Sequence, residues 1–306
     1  MSPAHPTGPR TLCLGDALVD LIGERHAALM GDVGRFIPHF GGTVANVAAF
    51  AARAGSRVSL AGGAGDDNWG RWLLDRLRRE EVDTSYFALL PGVRSQLAFV
   101  SIDEDGEPAY ELYGDSAQAV VASLGGRLQE AVGDADGLFI STNTLAGDRE
   151  RELTMRARQT ALDLGRPVIF DCNVRLHRWS SRADAAASAN ACVPGAMLVR
   201  ANQAEAELMT GESDPERAAL ALRKAGAGLV VLTLGAGGAI LRGNWSADVA
   251  AVPVDVVSTV GAGDALTGTL LARLAMSGFY PPAAAASLHE AVQAAARACT
   301  RWGALD

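Results

Sequence analysis

Ser258-Thr259-Val260-Gly261-Ala262-Gly263-Asp264-Ala265 is the stretch that decides how the chain reads. Three small residues make a tight turn, one carboxylate follows, and an Ala/Leu-rich run predicts a helix over Ala265–Ser277. Small residues let backbone N–H groups come close to an anion, and the helix N-terminus adds a favourable dipole. Asp264 would then lie beside a bound phosphate, where a lone carboxylate suits proton transfer from an attacking hydroxyl. The same dipole is expected to lower the pKa of Asp264 and make it a weak base. The plainer alternative is a glycine-rich loop that only turns the chain into a helix.

Working outward, short apolar runs alternate with longer helical patterns. Strands are predicted at Thr11–Gly15, Arg57–Ala61, Gly137–Ser141, Pro167–Asp171, Met197–Ala201, Leu229–Thr233 and Ala239–Arg242. The helices between them include Val44–Ala54, Trp69–Glu80, Gln118–Val132, Arg149–Leu164 and Ala283–Trp302. This alternation predicts a mostly parallel sheet with helices on both faces, a three-layer α/β/α sandwich. Residues 19–40 and 93–115 break the rhythm and read as β-hairpin material.

Ligands of open α/β sheets gather at the carboxyl ends of the strands. Polar residues recur there: Asp16 and Asp20 after the first strand, then Asn173 and Arg175, Asn202 and Glu205, and Thr233, Gly235 and Gly238. Asn and Asp are also good turn formers, and Asn202 with Glu205 reads equally as a helix cap with a first-turn acid.

Composition narrows the function classes. The chain has 306 residues, 49% hydrophobic and 20% charged, with a formal charge of −8. It carries no basic tract that could neutralise a nucleic-acid backbone. Its only lysine, Lys224, is followed by Ala225, so no Walker-A loop is present. Cys13, Cys172, Cys192 and Cys299 are scattered, and the histidines show no ligand spacing. Residues 1–10 read as a Pro-rich tail, not a signal peptide, and no apolar run suits a bilayer. The expectation is a cytoplasmic protein, with residues 11–306 as its single domain.

A second block, Gly41-Gly42-Thr43-Val44-Ala45-Asn46, opens the helix before the strand at Arg57. With both blocks in hand, the chain resembles the ribokinase-like, or PfkB, carbohydrate kinases from about Leu12 to Ala304. Fructokinase-like members are the most similar. The resemblance implies an ATP-dependent kinase that phosphorylates a primary hydroxyl of a small sugar. It implies a small β-sheet lid from about 19–40 and 93–115, a surface through which a homodimer could form. Asp264 would be the base, and the N–H groups of Gly261, Ala262 and Gly263 would stabilise the phosphoryl charge. Asp16, Asp20, Gly41, Gly42, Asn46, Asn173 and Arg175 would meet the sugar. Asn202, Glu205, Thr233, Gly235, Gly238, Thr300 and Gly303 would meet the nucleotide, with Glu205 serving magnesium through water.

Two departures matter. Members of the family usually carry Asp-Thr-Thr where this chain has Ser258-Thr259-Val260, which makes potassium activation doubtful. The Phe/Tyr-Tyr-Arg that fructokinase-like and 2-keto-3-deoxygluconate kinase-like members often carry is replaced by Glu111-Leu112-Tyr113-Gly114-Asp115, which weakens a sugar-acid substrate. A 2-keto-3-deoxygluconate kinase and a nucleoside kinase remain alternatives. So does a non-catalytic sugar or nucleotide sensor on the same fold.

Overall fold

The computed structural model describes residues 8–114 and 116–305; of the tail expected over residues 1–10, residues 1–7 lie outside them, as does Asp115, while Arg10 already begins the first strand. The strands are β1 Arg10–Leu14, β2 Leu18–Gly23, β3 Phe36–Gly41, β4 Arg57–Gly65, β5 Phe87–Leu90, β6 Leu97–Ile102, β7 Pro108–Tyr113, β8 Gly137–Ser141, β9 Val168–Asp171, β10 Leu198–Asn202, β11 Leu229–Thr233, β12 Ala239–Gly243 and β13 Ala247–Val249. The helices are α1 Thr43–Arg53, α2 Asn68–Arg79, α3 Ala117–Leu124, α4 Leu128–Gly133, α5 Asp148–Asp163, α6 Arg182–Asn190, α7 Gln203–Thr210, α8 Pro215–Lys224, α9 Ala262–Met276 and α10 Pro282–Ala298.

Nine strands form one sheet in the order β13-β12-β11-β10-β9-β8-β1-β4-β5. It is parallel from β11 to β5, with β12 and β13 added antiparallel at one edge. Leu12, Cys13 and Leu14 of β1 are fully buried, as a strand covered on both faces requires. One face packs against α1, α2, α9 and α10 through Val44, Leu73, Leu270 and Leu288. The other packs against α3 to α8, with Val120, Ala157, Ala189 and Ala219 in contact. The result is an α/β/α sandwich. Phe40, Phe139 and Phe170 are the largest wholly buried side chains, each contributing roughly 1.5–3 kcal/mol by burial.

Four strands form a separate, smaller sheet in the order β3-β2-β6-β7, with β2 and β6 parallel and the outer pairs antiparallel. Its apolar face encloses Leu18, Ile22, Ala98, Val100 and Ile102. Val260, from the loop before α9, is 3% exposed and completes that cluster. The β6–β7 turn reaches the same loop, where the Thr259 N–H donates to the Gly106 carbonyl at 2.8 Å.

The sequence pattern and the structure differ at a few ends. The helix expected over Gln118–Val132 is broken into α3 and α4 at Gly125-Gly126, where φ is +45° and +140°. β4 runs on through a glycine-rich segment to Gly65, and the short edge strands β5 and β13 were not anticipated. α9 starts at Ala262, so Gly263 and Asp264 belong to its first turn. Among the described residues no helix is long and apolar enough to cross a membrane.

Candidate active site

Two cavities open at the carboxyl ends of the large sheet. The first, of about 520 Å³, lies between β1, β9 and β10, the start of α1, and the small sheet. The second, of about 670 Å³, lies between β11, the 251–256 segment, α9 and α10. They share Glu107, Arg200, Asn202, Thr259 and Gly263. Asp264 lies in the first cavity, beside that junction.

Asp264 is 8% exposed, and its Oδ2 accepts a hydrogen bond from Asn46 Nδ2 at 2.9 Å. Burial pushes its pKa up to about 7, although the Asn46 hydrogen bond pulls the other way. This corrects the expectation of a lowered pKa: desolvation outweighs the helix dipole. A carboxyl titrating near neutrality is well matched to accept a proton. Gly261, which caps α9 with φ +78°, brings the chain into that first turn. The Ala262 N–H is taken by the Thr259 carbonyl at 3.2 Å, so of the three N–H groups expected to face an anion one is already engaged.

Asp20 projects from β2 into the first cavity and is 5% exposed. Burial raises its pKa to about 8, with the charge of Asp264 adding to the effect. A Cβ at Gly41 would come within 2.3 Å of its carboxylate, so only glycine lets β3 run so close. Asp16 Oδ1 and Asn46 Oδ1 are buried acceptors without a hydrogen-bond partner among the described residues. Such acceptors, lining a cavity, suit the hydroxyl donors of a polyol. Asn173, at φ +33°, donates from Nδ2 to Thr43 Oγ1 at 2.5 Å and ties the end of β9 to the start of α1. The Arg175 guanidinium stacks over the Tyr110 ring, 5.1 Å from its centroid. Gly42 and Thr43 line the same cavity.

Asn202 and Glu205 form a reciprocal cap at the start of α7. Asn202 Oδ1 accepts the Glu205 N–H at 2.8 Å, and Glu205 Oε2 accepts the Asn202 N–H at 2.8 Å. Glu205 Oε1 also accepts the Val174 N–H at 2.9 Å. Both carboxylate oxygens are thus partly committed to backbone, and burial raises the Glu205 pKa. No group of three or more His, Cys, Asp or Glu side chains suited to a metal occurs among the described residues. Any divalent ion here would be carried mainly by the ligand's phosphates, with Glu205 within reach only through water.

Thr233, Gly235 and Gly238 line the second cavity, with Val252, Pro253, Val292 and Ala295 supplying apolar walls. Thr300 and Gly303, expected beside a base, line neither cavity. The Thr300 hydroxyl donates to the Arg297 carbonyl, and Gly303 packs against the His39 ring. Arg200 is a site residue that the sequence reading missed. It lies 7% exposed at the junction of the cavities. The available signal was an arginine in a strand otherwise reading Leu198-Val199-x-Ala201, where a charge is rarely buried without cause.

Residues 9–300 match the model of the pfkB family carbohydrate kinases. Fructokinase-1 of Oryza sativa subsp. japonica is 29% identical over 262 residues, covering 85% of this chain and 81% of the relative. The fructokinase of Vibrio cholerae O395, solved with fructose, ADP and a calcium ion bound, superposes with a TM-score of 0.82 at 29% identity, covering 97% of this chain and 94% of that one. The aminoimidazole riboside kinase of Salmonella enterica, solved with aminoimidazole riboside and an ATP analogue, superposes with a TM-score of 0.82 at 25% identity, covering 97% and 95%.

Proposed function

The chain belongs to the pfkB family of carbohydrate kinases, phosphotransferases with an alcohol group as acceptor, and we propose that it moves the γ-phosphoryl group of ATP to a primary hydroxyl of a small neutral sugar of the fructose type. One observation carries the reading: Asp264 stands in the first turn of α9, in the polar cavity and beside the junction with the apolar one. The sugar occupies the first cavity, where Asp16, Asp20 and Asn46 accept its hydroxyl protons and Asn173 and Arg175 border it. The nucleotide occupies the second cavity, its base against Val252, Pro253 and Val292 and its phosphates toward Thr233, Gly235, Gly238 and Asn202.

Asp264, ionised above pH about 7, takes the hydroxyl proton while the acceptor oxygen attacks the γ-phosphorus. The N–H groups of Gly261 and Gly263 face the developing charge, and the Ala262 N–H joins them only by giving up the Thr259 carbonyl. Magnesium, held on the phosphates with Glu205 behind a water, would neutralise charge there. The small sheet, with its flanking loops about 19–40 and 93–115, acts as a lid that shields the acceptor from water. Its outward row of Phe36, Phe99 and Tyr113, stacked edge to face, is the surface for a homodimer. Such ATP-dependent chemistry suits the cytoplasm.

Potassium activation is weak or absent. The Ser258 hydroxyl is already the acceptor for the Val260 N–H at 3.1 Å, and Val260 presents only methyl groups, buried in the small-sheet cluster. A 2-keto-3-deoxygluconate substrate is favoured by one feature, the Arg175 guanidinium in the first cavity, which could meet a carboxylate.

The test is ATP consumption with magnesium across fructose, ribose, 2-keto-3-deoxygluconate, other hexoses and nucleosides, in potassium and in tetramethylammonium salts. A fructose-dependent signal is expected, unaffected by the cation, that drops by about 10²–10⁴ in Asp264→Asn while ATP binding persists. A stronger signal with the sugar acid would shift the reading to the second substrate. ATP binding without turnover for every acceptor would leave the sensor.

A further inference from the structure

Arg200 has so far been given no part in the chemistry, although it borders both cavities. Its Nη1 donates to Asp171 Oδ1 at 3.2 Å, and its Nη2 donates to Thr233 Oγ1 at 2.8 Å. Asp171 is fully buried and fixed in turn by Thr267 Oγ1 of α9, which donates to Oδ2 at 2.6 Å. The guanidinium lies directly against the first turn of α9: a Cβ at Gly263 would come within 2.9 Å of Nη2. Arg200 Nε is buried and has no hydrogen-bond partner among the described residues.

A purely structural role explains this arrangement poorly. A buried ion pair seldom stabilises more than well-packed apolar side chains of similar volume would. The neighbours Leu198, Val199 and Ala201 show that β10 fills its surroundings with such side chains. Instead the strand carries a permanent cation to its carboxyl end, held by β9 on one side and β11 on the other. A guanidinium has five N–H donors in a fixed fork, and only two are committed to the protein here. The fork is therefore rigidly aimed while retaining terminal N–H groups. Among the described residues the two cavities share Glu107, Asn202, Thr259 and Gly263, and Arg200 is the one cation that lines both.

We propose that Arg200 is a catalytic residue that hydrogen-bonds the transferring phosphoryl group from beneath Gly263. The inference rests on the phosphotransferase reading of the site. In the step, the acceptor oxygen forms its bond to the γ-phosphorus, and the bond from that phosphorus to the β–γ bridging oxygen breaks. ADP leaves with the electron pair, and the hydroxyl proton goes to Asp264. Arg200 stays protonated throughout and offsets charge on the equatorial oxygens. Asp171, Thr233 and Thr267 position it.

The experiment compares Arg200→Gln, Arg200→Lys and Arg200→Ala with Asp171→Asn, which breaks the same ion pair but keeps the cation. For Arg200→Gln, kcat is expected to fall by about 10²–10³ with the acceptor KM little changed. Arg200→Lys, which keeps the charge should the glutamine variant fold poorly, is expected to retain more turnover but well below wild type. Added guanidinium ion is expected to restore part of the turnover of Arg200→Ala and none to Asp171→Asn. Equal losses in Arg200→Gln and Asp171→Asn, with no rescue, would overturn the proposal and leave a structural pair. A wild-type protein that turns over no acceptor overturns the kinase reading itself, whereas an active wild type with indifferent Arg200 variants overturns only this inference.

Discussion

The two cavities that meet at Gly263 are made of opposite materials. The first gathers Asp16, Asp20, Asp264 and Arg175 around buried acceptors that lack partners. The second is walled by valine, proline and alanine side chains, with Thr233, Gly235 and Gly238 also lining it. Discrimination on the first side therefore depends on charge and hydrogen bonds, which are costly to mismatch. On the second side it depends on shape and apolar contact, where single changes are worth less. On the proposed reading, substrate identity is written in the polar cavity and the apolar cavity seats the nucleotide.

Three measurements press on that contrast. The largest effect is expected from Asp20→Ala: the acceptor KM should rise by about 10–100-fold, the loss of a buried hydrogen-bonding carboxyl, while the ATP KM stays put. Equal rises in both would mean that the cavities do not divide the labour. Next is the pH dependence of stability in the free enzyme. Burial raises the pKa of Asp20 from 3.8 to about 8 and that of Asp264 from 3.8 to about 7. Each carboxyl thus contributes stability that is fully present below pH about 4 and lost as pH rises through its folded value. The melting temperature of Asp20→Asn relative to wild type should therefore climb between pH 4 and 8; a flat difference would mean that Asp20 is solvated. The smallest effect is expected from Val292→Ala in the apolar cavity, a rise of about 3–10-fold in the ATP KM with kcat unchanged. A fall in kcat there would show that the nucleotide wall also aligns the reaction.

Much of this contrast is legible in the sequence, and what is hidden follows a physical rule. Asp16, Asn46 and Asp264 could be found because they follow strands or open helices, where polar side chains stand out from apolar runs. The sheet could be read because its strands are short, apolar and separated by helices. The direction of the Asp264 pKa was misread because the sequence displays the helix dipole but not the desolvation that overrides it. Arg200 stayed silent because its meaning comes from Asp171, Thr233 and Gly263, distant in sequence and joined only by β-strand register and a helix start. Thr300 and Gly303 were placed by motif alone, and the fold turns them toward Arg297 and His39. The break between α3 and α4 was visible as Gly125-Gly126 but was outweighed by the helical pattern on either side.

Val260 has a consequence for how the chain is made. The buried interior of the small sheet joins residues 18–22 and 98–102 to Val260, with Trp302 packed against it, so parts of one cluster are synthesised far apart in time. Domains emerging from the ribosome fold from the N-terminus as their partners appear. Here the β2–β6 pair gains Tyr110 and Leu112 early, but meets Val260 only after some 260 residues have been translated. A chain terminated before Val260 is therefore expected to leave Leu18, Ile22 and Val100 less fully covered, and so more open to chaperones and to other nascent chains.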